Sequence, residues 1–506
     1  MSGSAVMARP TAARWGRRAA LPGVLLAGGA LRFATLGLQS LWFDEAATAR
    51  LMRMSFHAML RGVSRSESTP PLFYVLEWLW TRPFGTGPVA LRSLSALAGT
   101  LTIVVVYLAA RALLDGAGET LRRRGALAAS ALVAFNPLLI WYSQEARAYA
   151  LLVLLIAAGL WALPGAARGQ RQAVLLWAVA GALALATHYF AVFIVAPELV
   201  WLVWRSARGR ALGLACGVIG LTAVALVPLA AAQRARGGAR FITQLSLPLR
   251  LAQLPKQLLS GYAAPGEVTL TVLAILAALV GLALAWRSRR QLPPILGAGW
   301  GTSASLAGLA VLAVALPLAL ALAGWDYFIT RNLIATLVPL LLVLAIGMTR
   351  NRLGAAALTT LCAVGVVASV GVAANVRYQR QDWRDAAASI PHGGPTAVIV
   401  SPAAGVLPLS YYRRGIGAMP ASAVVGQVEV ILFAPRAPGD GSTLPSLPAS
   451  LPTLSGFEPP RVERYATFLV VRYLPSAPGT VVAASALYRL AFGEPGGTTA
   501  RLVRRQ

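Results

Sequence analysis

Residues 125–163 read GALAASALVAFNPLLIWYSQEARAYALLVLLIAAGLWAL, and the fold follows from how that stretch divides. Two apolar runs, Gly125–Trp141 and Ala146–Leu163, flank a short polar turn. A helix that crosses a bilayer needs about 20 apolar residues, with a range of roughly 17–25. Arg122, Arg123 and Arg124 precede the first run, and Arg168 and Arg171 follow the second. Arginine at both distal ends, with Glu145 at the turn, predicts two antiparallel spans whose basic ends face the cytoplasm.

The same alternation runs through the chain. Of its 506 residues 57% are hydrophobic and 12% charged, against about 45–50% and about 25% in soluble domains. Mean hydropathy is +0.66. These values exclude an ordinary soluble enzyme, a disordered chain, a coiled coil and a collagen. Nine further spans are expected at Leu21–Leu38, Ala90–Leu114, Ala173–Thr187, Tyr189–Trp204, Ala211–Ala232, Val268–Trp286, Ile295–Ala323, Leu333–Met348 and Leu353–Ala374. The predicted fold class is therefore an all-α polytopic membrane protein with about eleven transmembrane helices.

The net charge of +28 is almost wholly arginine, Lys256 being the one lysine. Its clusters fall in alternate loops: Arg205, Arg208 and Arg210, then Arg287, Arg289 and Arg290, then Arg350 and Arg352. With Arg9, Arg14, Arg17 and Arg18 ahead of an uncleaved first helix, the N-terminus is expected inside. No basic face of a soluble domain is present for nucleic acid. Cys216 and Cys362 lie in apolar runs and read as buried hydrophobes, with no disulfide framework or zinc site.

Pro70–Phe84 is apolar but short and carries Glu77. Were it to span, every later arginine cluster would face outward, so it is expected as a juxtamembrane helix capped by Thr69, with Trp78 and Trp80 at the interface. Leu245–Leu259 is expected as an interfacial helix. The membrane region is thus 1–375, with a first outer loop at about 39–89. From 376 to 506 proline and polar residues increase, and strand-like runs at Ala397–Val400, Val428–Phe433 and Phe468–Tyr473, with a helix at Asp385–Ile390, predict a small α/β domain on the outer side.

The acids gather at that same face. Asp44 and Glu45 follow the first span, Glu67 precedes a double proline, and Glu145 and His188 end two spans. Arg331 stands beside Asp326. Charge at membrane depth costs roughly 2.5–3.5 kcal/mol, so such a cluster is a candidate site. Each member also has a plain structural explanation: solvated loop acids, a helix terminator, a Glu145–Arg147 pair, a satisfied histidine, a snorkelling arginine. The chain has no glycine-rich phosphate loop, HExxH, CxxC or Ser-His-Asp arrangement. At an outer face, where nucleotides are scarce, a membrane-dissolved donor suits these residues. One carboxylate takes a proton from the acceptor, a basic residue holds the departing phosphate, and a second carboxylate holds a cation or orients the acceptor. Almost no ionisable residue is expected at mid-span, which disfavours a lipid-linked sugar flippase; a polysaccharide polymerase or ligase stays open.

Asp44-Glu45 after the first span, Glu67 ahead of PPLFY, the YSQEARAYAL segment and Arg331-Asn332-Leu333 together resemble the GT-C glycosyltransferases of family 39, the protein O-mannosyltransferase and aminoarabinose transferase branch. The resemblance is best over Leu31–Leu163, and DWRDAA at Asp382–Ala387 is its trace in the tail. It implies inverting transfer from a polyprenyl-phosphate-linked sugar to a lipid, glycan or protein acceptor outside a bacterial inner membrane, with no nucleotide cofactor. Asp44 would be the general base, supported by Glu45 or Glu67, with Glu145 a further site acid. Arg147, Arg331 or Lys256 would meet the donor phosphate. Glu67 and Glu45 are the residues for a divalent cation, if one is used, and His188 and Tyr149 complete the site. The donor tail would lie near the loop Gln233–Glu267. Two departures stand out: Ser68-Thr69 replaces the aromatic–basic pair before the double proline, and the tail is no β-trefoil, which leaves a protein acceptor without support.

Overall fold

The computed structural model describes residues 12–205, 209–238, 240–289, 301–434, 444–490 and 497–504. Arg9, Arg208, Arg290 and the start of the expected span Ile295–Ala323 lie outside them. The chain is an integral, multi-pass membrane protein. Among the described residues seven helices are long and apolar enough to cross a bilayer, and a bent pair makes an eighth. Three shorter apolar helices, Ala19–Phe33, Arg171–Thr187 and Tyr189–Trp204, fall on other expected spans.

In chain order the helices begin with α1 (Ala12–Phe33). Three helices of the first loop follow: α2 (Phe43–Met52), α3 (Phe56–Ser66) and α4 (Leu72–Phe84). The bundle continues with α5 (Pro88–Leu113), α6 (Glu119–Phe135), α7 (Pro137–Ser143), α8 (Tyr149–Ala167) and α9 (Arg171–Thr187). Next come α10 (Val192–Arg205), α11 (Arg210–Ala235), α12 (Leu247–Ser260) and α13 (Glu267–Arg287). Last are α14 (Thr302–Leu322), α15 (Leu337–Met348), led by a 3-10 turn at Thr330–Thr336, and α16 (Arg352–Ala374). Helices dominate because peptide groups in hydrocarbon must be satisfied within their own segment. The region expected as a juxtamembrane helix is α4. Thr69 does not cap it; the Thr69 hydroxyl instead lies 3.2 Å from that of Tyr74.

The span expected at Gly125–Trp141 is broken. Pro137 lacks an N–H, and α6 and α7 meet at 59°, as proline in an apolar helix dictates. The break leaves carbonyls without partners, and Arg32 supplies donors. Its guanidinium bonds Ala134 O and Gly28 O at 2.8 Å and Val133 O at 2.9 Å. Asn136 caps α7 through Leu139 N (2.9 Å) and reaches Leu258 O (2.8 Å). Close by, α16 crosses so tightly that a Cβ on Gly365 would lie near Phe135 O, so only glycine fits.

Mid-span is less empty of charge than the sequence implies. Glu198 in α10 is buried and accepts from Trp177 Nε1 at 2.7 Å. Arg32 is buried as well. Each is held by packed neighbours.

The tail is an α/β domain. Its strands are β1 (Thr396–Ser401), β2 (Ile416–Ala418), β3 (Ser422–Val424), β4 (Gln427–Leu432), β5 (Arg461–Arg464), β6 (Leu469–Tyr473), β7 (Val481–Ala483) and β8 (Thr499–Val503). Six form one sheet in the order β2-β8-β1-β4-β6-β5, with β1 and β4 parallel; β3 pairs β7. β1, β4 and β6 are the three strands legible in the sequence, because they are buried on both faces. The helix expected at Asp385–Ile390 is α17 (Trp383–Ala388), capped by Asp382 through Asp385 N at 3.2 Å. A second short helix, α18 (Val406–Tyr412), packs on α2, and α19 (Ala484–Tyr488) joins β7 to the core.

Candidate active site

At the loop end of the bundle, residues from distant parts of the sequence converge. Asp44 lies in the first turn of α2 and Arg331 in the 3-10 turn ahead of α15. Although 287 residues apart, Arg331 Nη1 donates to Asp44 Oδ2 at 3.2 Å. Each of these side chains is 18% exposed, so the pair is reachable. The Arg331 guanidinium stacks 5.0 Å from the Phe241 ring centre. Tyr142 and Tyr149 are within its electrostatic reach. Tyr142 shares a 2.6 Å hydrogen bond with Tyr262, which brings the loop after α12 to the site.

Glu45 points the other way. Arg92 of α5 grips it through Nε–Oε1 at 2.7 Å and Nη2–Oε2 at 2.6 Å. Glu45 Oε1 also accepts from Ala146 N at 3.1 Å. Burial alone would raise this carboxyl; the Arg92 pair outweighs it and holds Glu45 below the ordinary range. Glu45 thus faces protein and is no partner of Asp44.

Glu67 and Arg147 form a second buried pair at 2.5 Å, and Tyr74 donates to the same Glu67 oxygen at 2.6 Å. The sequence suggests Arg147 as a mate for Glu145, its near neighbour. Glu145 instead pairs with Arg380 at 2.9 Å, across 235 residues. Burial pushes the Glu145 carboxyl up despite Arg380. His188 joins the α9–α10 turn. Its Nδ1 accepts from Phe190 N at 3.2 Å, and its ring packs 5.6 Å from Tyr149. Burial, with Arg147 and Arg331 nearby, lowers its pKa to about 3, so the imidazole is neutral.

Lys256 and Asp326 are placed differently from expectation. Lys256 bonds Glu267 at 2.9 Å and Tyr262 O at 2.7 Å, which staples the α12–α13 turn. Asp326 does not meet Arg331. It takes a fork from Arg250 at 2.7 and 2.5 Å, and Arg250 also donates to Leu245 O at 3.0 Å.

Three residues central to this arrangement, Arg92, Arg380 and Tyr74, escaped sequence reasoning. Arg92 sits in the first turns of an apolar helix and looks like an interfacial snorkeler. Only the lone acid Glu45, needing a cation, could have pointed to it.

The donor set does not fit a divalent cation. Glu67 Oε1 is buried without a partner, but both Glu45 oxygens are occupied by Arg92 and Ala146. Among the described residues no three His, Cys, Asp or Glu side chains come together.

An apolar groove of about 520 Å³ shares Tyr262 with this arrangement. Ala27, Ala30 and Leu31 of α1, Trp141 of α7, and Val366 and Val370 of α16 line it, with Tyr262 and Gln144 among its polar lining residues.

The family model for dolichyl-phosphate-mannose-protein mannosyltransferase matches residues 68–231. No curated protein sequence is significantly similar. Among solved structures, ArnT from Cupriavidus metallidurans bound to undecaprenyl phosphate superposes over 93% of this chain and 100% of that one, with a TM-score of 0.51 and 14% identity. The apo form of that protein aligns over 67% of this chain and 61% of that one, with a TM-score of 0.42 and 16% identity. The apo Archaeoglobus fulgidus oligosaccharyltransferase aligns over 75% of this chain and 59% of that one, with a TM-score of 0.45 and 14% identity. The chain thus spans less than two thirds of the latter two structures. It shares the fold of the undecaprenyl-phosphate-bound structure along nearly its whole length, and the mannosyltransferase family model matches within the same membrane region.

Proposed function

We propose that this protein transfers a sugar from a polyprenyl-phosphate donor to an acceptor hydroxyl or amine at the extracytoplasmic face, with inversion, and that Asp44 is the general base. The observation that carries this reading is the Asp44–Arg331 pair. A carboxylate and a guanidinium stand side by side, both partly exposed, and Tyr262, which lines an apolar groove, bonds Tyr142 within electrostatic reach of Arg331. Only one N–H of Arg331 is on Asp44, and the rest of the fork suits two phosphate oxygens. The solved relative described above binds undecaprenyl phosphate.

In the reaction the acceptor oxygen or nitrogen attacks the anomeric carbon of the sugar and gives its proton to Asp44. The bond from that carbon to the phosphate oxygen breaks, and polyprenyl phosphate leaves as an anion, which Arg331 stabilises. A phosphate leaving group needs no strong acid, so positioning and charge stabilisation carry most of the barrier lowering. The polyprenyl tail lies in the groove between α1 and α16. Glu45, fixed by Arg92, orients α2; neutral His188 and Tyr149 shape the wall. No step needs a metal ion.

The test is transfer from radiolabelled polyprenyl-phosphate sugars in membranes, comparing wild type with Asp44→Asn at equal expression. Label reaching an acceptor in wild type and lost in the variant supports the reading. Equal transfer by both removes Asp44 from the chemistry.

A further inference from the structure

The segment before α2 has no regular structure of its own between Gln39 and Trp42, and α2 begins without a side-chain cap. Its backbone is held from two sides. From the membrane side Arg92 takes the carbonyls of Leu36, Gln39 and Ser40 at 2.7–2.9 Å. From the other side the grip comes from the root of the C-terminal domain. Arg380 donates to the Gln39 side chain from its backbone N at 3.0 Å and from its side-chain Nη1 at 3.4 Å, and Trp383 N donates to Ser40 Oγ at 3.0 Å. Ser40 Oγ in turn donates to Gln381 O at 2.7 Å. The buried Leu41 N–H donates to the Tyr412 hydroxyl at 2.7 Å. Leu41 is three residues from Asp44.

The same domain reaches the other wall of the site. Arg380 pairs with buried Glu145 and lies 4.2 Å above the Trp141 ring. Tyr411 and Tyr412 pack on the core under α2, against Leu41, Ala49, Leu51 and Met52. Among the described residues the Asp44 carboxylate makes one hydrogen bond, to Arg331.

We infer that the C-terminal domain is a positioning element for the transfer reaction, with Arg380 and Tyr412 as positioning residues that set where α2 presents Asp44 to Arg331. The inference rests on Asp44 being the base. The domain supplies more than half of the hydrogen bonds named above that hold the path into α2. A displacement of about 1 Å at a reacting group lowers turnover on the order of a hundredfold while leaving binding contacts elsewhere intact.

The test uses the full chain in lipid vesicles: wild type, Tyr412→Phe, Arg380→Gln and Arg380→Lys. Tyr412→Phe and Arg380→Gln are expected to lower kcat about ten- to a hundredfold with donor KM unchanged. Amide exchange across Gln39–Ala49 is expected to quicken about tenfold or more, from loss of one hydrogen bond, with exchange in α8 and α15 unaltered. Arg380→Lys, which keeps a charge beside Glu145, recovers part of kcat. Wild-type kcat and exchange in both variants overturn the inference. So does faster exchange throughout the chain, which would make these residues merely structural. If wild type itself transfers no sugar, the transferase reading fails, and the exchange comparison alone decides whether the domain holds α2.

Discussion

Adjacent acids in one helical turn should fail in opposite ways. Glu45 is fully buried and Arg92 is 1% exposed. All five N–H groups of Arg92 are engaged, two on Glu45 and three on backbone carbonyls. Glu45→Gln keeps the shape but sets an amide N–H₂ against the guanidinium and leaves the cation without a counter-ion. Removing one partner of a buried pair costs about 3–5 kcal/mol. Asp44→Asn alters a partly exposed pair at 3.2 Å, worth about 0–1 kcal/mol. Heat unfolding of the detergent-solubilised full chain at pH 7 should therefore fall by several degrees for Glu45→Gln and hardly move for Asp44→Asn. Transfer should be lost in Asp44→Asn. The pH sign follows from the lowered Glu45 pKa. Its contribution is present above the unfolded value of about 4.3 and is lost as pH falls through the folded value. The gap between wild type and Glu45→Gln should therefore close only in that acid range. A Glu45→Gln protein that unfolds with wild type yet transfers nothing would refute the reasoning and make Glu45 part of the chemistry.

Arg331→Gln should lower kcat about 10²–10³-fold, whereas Arg331→Lys keeps a point charge and should lose less; single-turnover transfer checks both. Ala30→Phe, which fills the groove beside α1, should raise KM for long-chain donors and spare short-chain ones, measured by a chain-length series. In the C-terminal domain burial raises the Glu429 pKa to about 7 in spite of Arg472. Its ionisation therefore destabilises the fold increasingly between about pH 4.3 and 7. Glu429→Gln should raise the unfolding temperature at pH 8 and give no gain at pH 4. Gly365→Val drives a side chain into Phe135 O and should abolish the monodisperse peak in size-exclusion chromatography.

The long spans were legible in the sequence because each is a local property: a run of apolar residues flanked by arginine clusters. Broken and short helices were less so. The α6–α7 bend is visible as Pro137, but its stabilisation is not, since Arg32 comes from another helix 102 residues away. In the tail the strands buried on both faces were readable; the short edge strands, with little apolar patterning, were not.

The sequence by itself determined a helical bundle in the membrane, a small α/β tail, and the set of acids and arginines from which a site at one end must be built. Hydropathy and charge act residue by residue, so they survive in one dimension. Only the tertiary structure decided who pairs with whom. It joined Asp44 to Arg331, Glu45 to Arg92, Glu67 to Arg147 and Glu145 to Arg380, and took Asp326 and Lys256 for other work. The physical reason is that an ion pair is set by distances of about 3 Å. Those distances depend on how distant helices cross, and spacing along the chain carries no record of it.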